Sequence, residues 1–190
     1  MKSKSSIAPL LLAIALLGMS GASFSADNKP GFFSRMFNGA ETPGVAPVEN
    51  PQYLEECGSC HFPYQPGLLP ARSWTKLMAG LENHFEENAE LPAEDVKSLT
   101  GYLVKNAADH ANYKRSKKIM NSLRPDEAPL RVSETPYFIE KHRELSRGMV
   151  QDNPKVVSIS RCGACHTKAE TGSFSESEIQ IPGFGAWEDK

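Results

Sequence analysis

RCGACHTK, residues Arg161 to Lys168, sets two cysteines two residues apart with a histidine directly behind the second. The same arrangement occurs once before, in ECGSCHFP from Glu56 to Pro63. Together the two stretches hold all four cysteines of the 190-residue chain, Cys57, Cys60, Cys162 and Cys165, and each pair has its own histidine, His61 or His166. Whatever the chain does, it needs two thiols and an imidazole held close together, and it needs them twice.

The amino terminus indicates the compartment. Lys2 and Lys4 precede an uncharged apolar run from about Ile7 to Met19, followed by small residues that include Ser23 and Ser25. This is the pattern of a secretory signal peptide over residues 1–25. The run is short for a bilayer span and the sequence beyond it is polar, so a retained anchor is the weaker reading and no membrane span is expected after cleavage. Removing the signal takes away two lysines and no acids, so the net charge of −2 becomes −4. A mildly acidic exported chain argues against nucleic acid as a partner, because phosphate binding needs a basic face. The one basic run, YKRSKK from Tyr113 to Lys118, reads as a solvated loop or, alternatively, as a surface for an acidic partner.

About 165 residues remain, enough for one ordinary domain or two small lobes. Residues 26–51 are rich in Gly, Pro and Asn without a sustained period and read as a flexible leader, although Phe32, Phe33, Met36 and Phe37 could form a docking segment. Beyond the first motif, FPYQPGLLPAR carries too many prolines for helix or central strand. Ser73 is then expected to cap a helix reaching about Asn88, with Trp74, Leu77, Met78, Leu81 and Phe85 on its buried stripe and His84 at the stripe's edge. A second helix is expected from Pro92 to near His110, with Val96, Leu99, Leu103 and Ala107 inward. Thr135 and Pro136 begin a short helix on which Phe138, His142 and Leu145 share a side. Asn153 and Pro154 are expected to open a last helix leading into Cys162. With no strand pattern of any length, the fold class is mainly α, divided into two small lobes over 52–112 and 113–190.

Three chemistries use paired cysteines at this spacing. A dithiol oxidoreductase places them at the end of a strand in a βαβ unit, which is missing here, and has no use for the histidine. A structural zinc could take Cys57, Cys60, Cys162 and Cys165, but it does not require an adjacent histidine on both knuckles, and export favours oxidation of free thiols. In the third, the thiols add across the two vinyl groups of a haem and the next imidazole binds the iron. Two CxxCH segments in an exported chain with no cysteine left over favour this last chemistry, with two covalently bound haem c groups held by Cys57, Cys60 and His61 and by Cys162, Cys165 and His166.

The remaining axial positions decide what the haems do, because an open iron permits oxygen or peroxide chemistry and a filled one leaves electron transfer. Three histidines are spare: His84, His110 and His142. His84 is the better candidate for the first iron, with Met78, one turn earlier, as a rival ligand or simply a core thioether. For the second iron His142 competes with His110. His142 follows Tyr137 and Phe138, whose rings need a partner to bury against, whereas His110 at a helix end is explained by a favourable dipole contact.

The segment YLEECGSCHFPYQPGLLPARSWTKLMAGLENHFEENAELPAEDVKSLTGYLVKNAADH, the TPYFIEKH helix and SRCGACHTKAETGSF together resemble the small exported dihaem cytochrome c family usually called DHC. The resemblance spans nearly all of the chain beyond the leader. It implies a first lobe like a class I cytochrome c and a second, irregular lobe, two histidine ligands at each iron, and the assignment of His84 to the first haem and His142 to the second. It also implies a periplasmic electron shuttle rather than an enzyme, drawing electrons in some relatives from a membrane cytochrome b and passing them to a small oxygen-binding monohaem cytochrome c. The alternatives are a dihaem peroxidase-like enzyme with one open haem, or the small electron-transfer subunit of a periplasmic reductase.

Overall fold

A computed structural model describes residues 43–188, which fall in one compact unit. The signal-peptide reading and most of the leader lie outside the described residues. The end of the leader does not hang free: Val45 is fully buried, and the amides of Gly44 and Val45 both donate to the carbonyl of Gly172, at 2.9 and 3.2 Å.

Helix α1, Pro51–Glu56, starts where Asn50 accepts the Tyr53 amide on its side chain at 3.0 Å and Pro51 presets the first helical turn. It ends by delivering Cys57, whose amide still bonds the Tyr53 carbonyl. Gly58 passes so close beneath the Leu54 carbonyl that any Cβ there would collide with it, which explains a glycine between the first two cysteines.

Helix α2, Ala71–Met78, packs against α3, Ala93–Lys105. Their apolar faces, with Tyr53, Leu69 and Leu81, form one core in which Leu99, Leu103 and Ala107 are almost completely covered. The α3 face is the one its periodicity predicts. Helix α2 corrects the expectation: it stops ten residues short of Asn88, and Ser73 lies inside it, buried, rather than capping it. The chain turns at Ala79 and Gly80, enters a single 3₁₀ turn at Leu81–Asn83, and then reverses. Glycine and asparagine weaken the helix here, and the apolar stripe persists through 3₁₀ geometry instead.

A second core gathers Val45, Leu68, Ile119, Ala169 and Phe174. Helix α4, Lys114–Ser122, contributes Ile119 and a buried Ser116 whose hydroxyl donates to the Gly67 carbonyl at 2.8 Å. The basic run is therefore the first turn of a helix and not a loop. Helix α5, Pro136–His142, is capped by Thr135, whose hydroxyl accepts the Phe138 amide at 3.3 Å. The expected helix from Asn153 does not form. Asn153 instead turns its side chain to the Met149 and Pro182 carbonyls, and Val157 adopts φ +69°, so the chain reaches Cys162 through turns. Two β-branched valines followed by serines give that segment little helical preference. After the second motif the only strands among the described residues are β1, Gln180–Ile181, and β2, Gly185–Ala186, paired antiparallel.

Between the two cores runs the proline-rich stretch after the first motif, whose residues Gln65 to Pro70 are all buried. Gln65 donates to the Ala169 carbonyl at 2.6 Å, and the Trp74 indole donates to the Pro66 carbonyl at 2.8 Å. Tyr64 packs against both clusters. The expectation of neither helix nor strand holds apart from one 3₁₀ turn at Pro66–Leu68 and the last two residues, Ala71 and Arg72, which open α2, and nothing in the residue pattern marks the stretch as buried.

Candidate haem-binding sites

Each CxxCH histidine faces one of the spare histidines. The rings of His61 and His84 are 6.1 Å apart and within 16° of parallel, while His142 and His166 are also 6.1 Å apart but crossed at 71°. An iron bound by two imidazole nitrogens at about 2 Å each, with about 1 Å from nitrogen to ring centre, sets the centroids about 6 Å apart. The donor spacing in both places fits a metal between the rings, and the paired thiols sit in the same motif as one ring of each pair.

His84 is not on a helix edge. It begins a two-residue reverse turn closed by two backbone bonds to Glu87, at 2.7 and 3.2 Å, whose central residues Phe85 and Glu86 have φ of +58° and +78°. Such turns normally take Asn or Gly, so this one is strained and must be held from outside. The Arg131 guanidinium lies 3.7 Å over the Phe85 ring, and that ring meets the His84 ring edge-on at 4.8 Å. On the other side, His61 Nδ1 donates to the Phe62 carbonyl at 2.8 Å, which leaves Nε2 free for a metal.

In the second pair, His142 Nδ1 donates to the Phe138 carbonyl one helical turn back at 2.8 Å, and the Phe138 ring stacks on the imidazole at 3.8 Å. Phe174 walls His166 edge-on at 5.3 Å. The Nδ1 of His166 is buried with no protein partner. Burial pushes the His166 imidazole down to about 4, helped by the neighbouring His142 and by the Arg115 charge. His142 is lowered mainly by burial, and His84 by burial and then by His61 and Arg131. All three rings are thus held neutral near pH 7, the form that binds metal.

The rival candidates lie elsewhere. His110 is exposed, bonds the Val104 carbonyl at 2.8 Å and joins neither ring pair. Met78 is buried in the first core among apolar side chains. The cysteines do not gather either: among the described residues no cluster of three or more His, Cys, Asp or Glu side chains is placed to hold a metal ion, so the four thiols form no zinc knuckle. Burial pushes the Cys57 and Cys162 thiols up to about 11, the reverse of the reactive thiolate a dithiol exchanger needs. The sequence singles out His84 and His142, the two spare histidines whose rings lie 6.1 Å from those of His61 and His166, but not Arg131, Arg115, Phe174 or Tyr64. For Arg115, Phe174 and Tyr64 the only signal would have been a charged or aromatic residue at an inward register, which short helices and turns do not reveal, and Arg131 is exposed and carries no such signal.

The profile of the dihaem cytochrome c family matches residues 53–174. The X-ray structure of a diheme cytochrome type c from Shewanella baltica OS155 is 42% identical, with 74% of this chain and 99% of that chain covered at a TM-score of 0.62. A diheme cytochrome c from Rhodobacter sphaeroides is 44% identical, with 68% of this chain and all of that one covered at a TM-score of 0.61. No curated protein matches the chain.

Proposed function

Because the chain belongs to the dihaem cytochrome c family and carries two covalently bound haem c groups, we propose that it is a periplasmic electron carrier whose two irons are each held by two histidines. Cys57, Cys60 and His61 would hold the first haem with His84 opposite, and Cys162, Cys165 and His166 the second with His142 opposite. The observation that supports this reading is the pair of imidazole couples, each 6.1 Å across and each with one member from a CxxCH motif. Bound haem would supply a one-electron couple. Two imidazoles at each iron would leave no position for oxygen or peroxide, which disfavours the peroxidase-like alternative. The carbonyls of Phe62 and Phe138 accept from Nδ1 of His61 and His142, which would leave Nε2 of each ring as the metal donor.

The compartment rests on the signal-like amino terminus, and no helix among the described residues is long and apolar enough to cross a membrane. A membrane cytochrome b as donor and a small oxygen-binding monohaem cytochrome c as acceptor enter the proposal on the family resemblance alone, as does service as a reductase subunit. The deciding experiment is an optical spectrum of the purified protein in both oxidation states, with carbon monoxide added to the reduced form. Two low-spin haems that refuse carbon monoxide are expected. One high-spin haem, or one that takes up carbon monoxide, would overturn the two-histidine reading and favour an enzyme with an open site.

A further inference from the structure

The basic run on α4 is not uniformly solvent-facing. Lys114, Lys117 and Lys118 are exposed, but Arg115 between them is half-buried and turns inward. Its guanidinium reaches from the helix that carries His142 to Phe174, which packs on His166. Nη1 donates to the Tyr137 hydroxyl at 3.0 Å, on the helix that ends in His142. Nη2 donates to the Phe174 carbonyl at 2.7 Å, and the Phe174 ring is the edge-on wall of His166. The guanidinium also lies 5.9 Å from the Tyr137 ring centre and 5.5 Å from that of Phe174. From below, Gly44 leaves room for it, since a Cβ at that position would come within 2.9 Å of Nε, and the Gly44 carbonyl accepts the Arg115 amide at 3.1 Å.

We propose that Arg115 is a positioning residue for the second haem: its planar fork ties the helix that bears His142 to Phe174, the wall of His166, and its permanent charge favours the reduced iron between the two rings. This rests on the two-histidine reading above. The fork matters because two acceptors on different elements are engaged by two nitrogens of one rigid group, which lysine, a single point donor on a flexible stem, cannot reproduce. The charge matters because an iron between two neutral imidazoles loses one positive charge on reduction, so a half-buried cation nearby, weakly screened by salt, penalises the oxidised state. The first pair has its own cation in Arg131, but that guanidinium stacks on Phe85 and ties no second ligand-bearing element by a hydrogen bond.

The two roles separate in two variants of the full protein, matured with both haems. Arg115→Gln removes the charge, and a redox titration followed by electron paramagnetic resonance should show the potential of the crossed-ring haem falling while the near-parallel one stays put. Arg115→Lys keeps the charge and loses the fork, so that potential should stay near wild type while the reduced second haem begins to bind carbon monoxide. If Arg115→Gln does not mature, the lysine variant still tests the fork. An unmoved second potential in the glutamine variant, equal shifts at both haems, or a lysine variant as closed to carbon monoxide as wild type would each overturn the proposal. Carbon monoxide binding by the wild-type protein would instead overturn the ligation reading on which it rests.

Discussion

His142 and His166 are crossed at 71°, whereas His61 and His84, at the same 6.1 Å separation, lie within 16° of parallel. Each imidazole's π system acts on the iron d orbital it overlaps. Parallel rings act on the same one and split the pair, while crossed rings act one on each and leave the two nearly degenerate. The ferric protein should therefore give two different low-spin resonance signals in equal amounts, one rhombic and one strongly anisotropic with a single dominant large g value. Two identical signals would mean that the ring planes turn when the haems are bound.

His142→Ala should open one haem and only one. The substitution removes the ring that stacks on Phe138 and faces His166. Half of the haem should become high-spin and bind carbon monoxide, while the first haem, with His61 and His84, stays low-spin. His110→Ala should change neither spectrum, because His110 only closes a helix end on the Val104 carbonyl. The opposite pattern would assign the second ligand to His110.

The candidate histidines could be named from the sequence because that choice depends on residue type and the choices are few. Outside the two motifs only three histidines remain, and Tyr137 and Phe138 beside His142 set it apart from His110 at a helix end. The backbone that presents them was less legible. The 3.6-residue stripe from Trp74 to Phe85 continues through a 3₁₀ turn and a strained reversal, and spacing alone does not separate these from a continuous helix. Helix α4 escaped notice because its inward positions are Arg115, Ser116 and Ile119, and a single fully apolar residue makes no stripe. Its helicity comes from tertiary contacts: the Ser116 bond to Gly67 and the two side-chain bonds of Arg115.

Gly172→Ala should destabilise the fold around the second haem. Gly172 has φ +77°, and an added Cβ would run into the Val45 carbonyl oxygen. The same residue offers its own carbonyl to the amides of Gly44 and Val45, so the clash falls where residues 44 and 45 are fastened down. Backbone strain of this kind costs about 1–3 kcal/mol, and displacing the buried Val45 adds to it. Denaturant unfolding followed by the loss of low-spin absorbance would show an earlier midpoint than wild type. An unchanged midpoint would mean that the Val45 segment yields without cost.

Tyr64 touches both sites. Its ring lies 5.5 Å from that of His61, and its hydroxyl donates to the Ser160 carbonyl, two residues ahead of Cys162, at 2.8 Å. Gln65, the next residue, donates to the Ala169 carbonyl on the far side of the second motif. The stretch that follows His61 is thus stitched to both flanks of the other CxxCH, and the Tyr64 ring packs against both cores. Tyr64→Phe keeps the ring and gives up one solvent-accessible hydrogen bond, a loss of at most about 1 kcal/mol, so electron exchange between the haems should stay near the wild-type rate. Tyr64→Ala removes the ring as well. Electron tunnelling decays steeply with distance and across unfilled space, so exchange should then slow several-fold while both irons remain low-spin. Exchange cross-peaks between haem methyl resonances in a half-reduced sample read this rate directly. Wild-type exchange in the alanine variant would show that the electron takes another route and that Tyr64 serves packing alone.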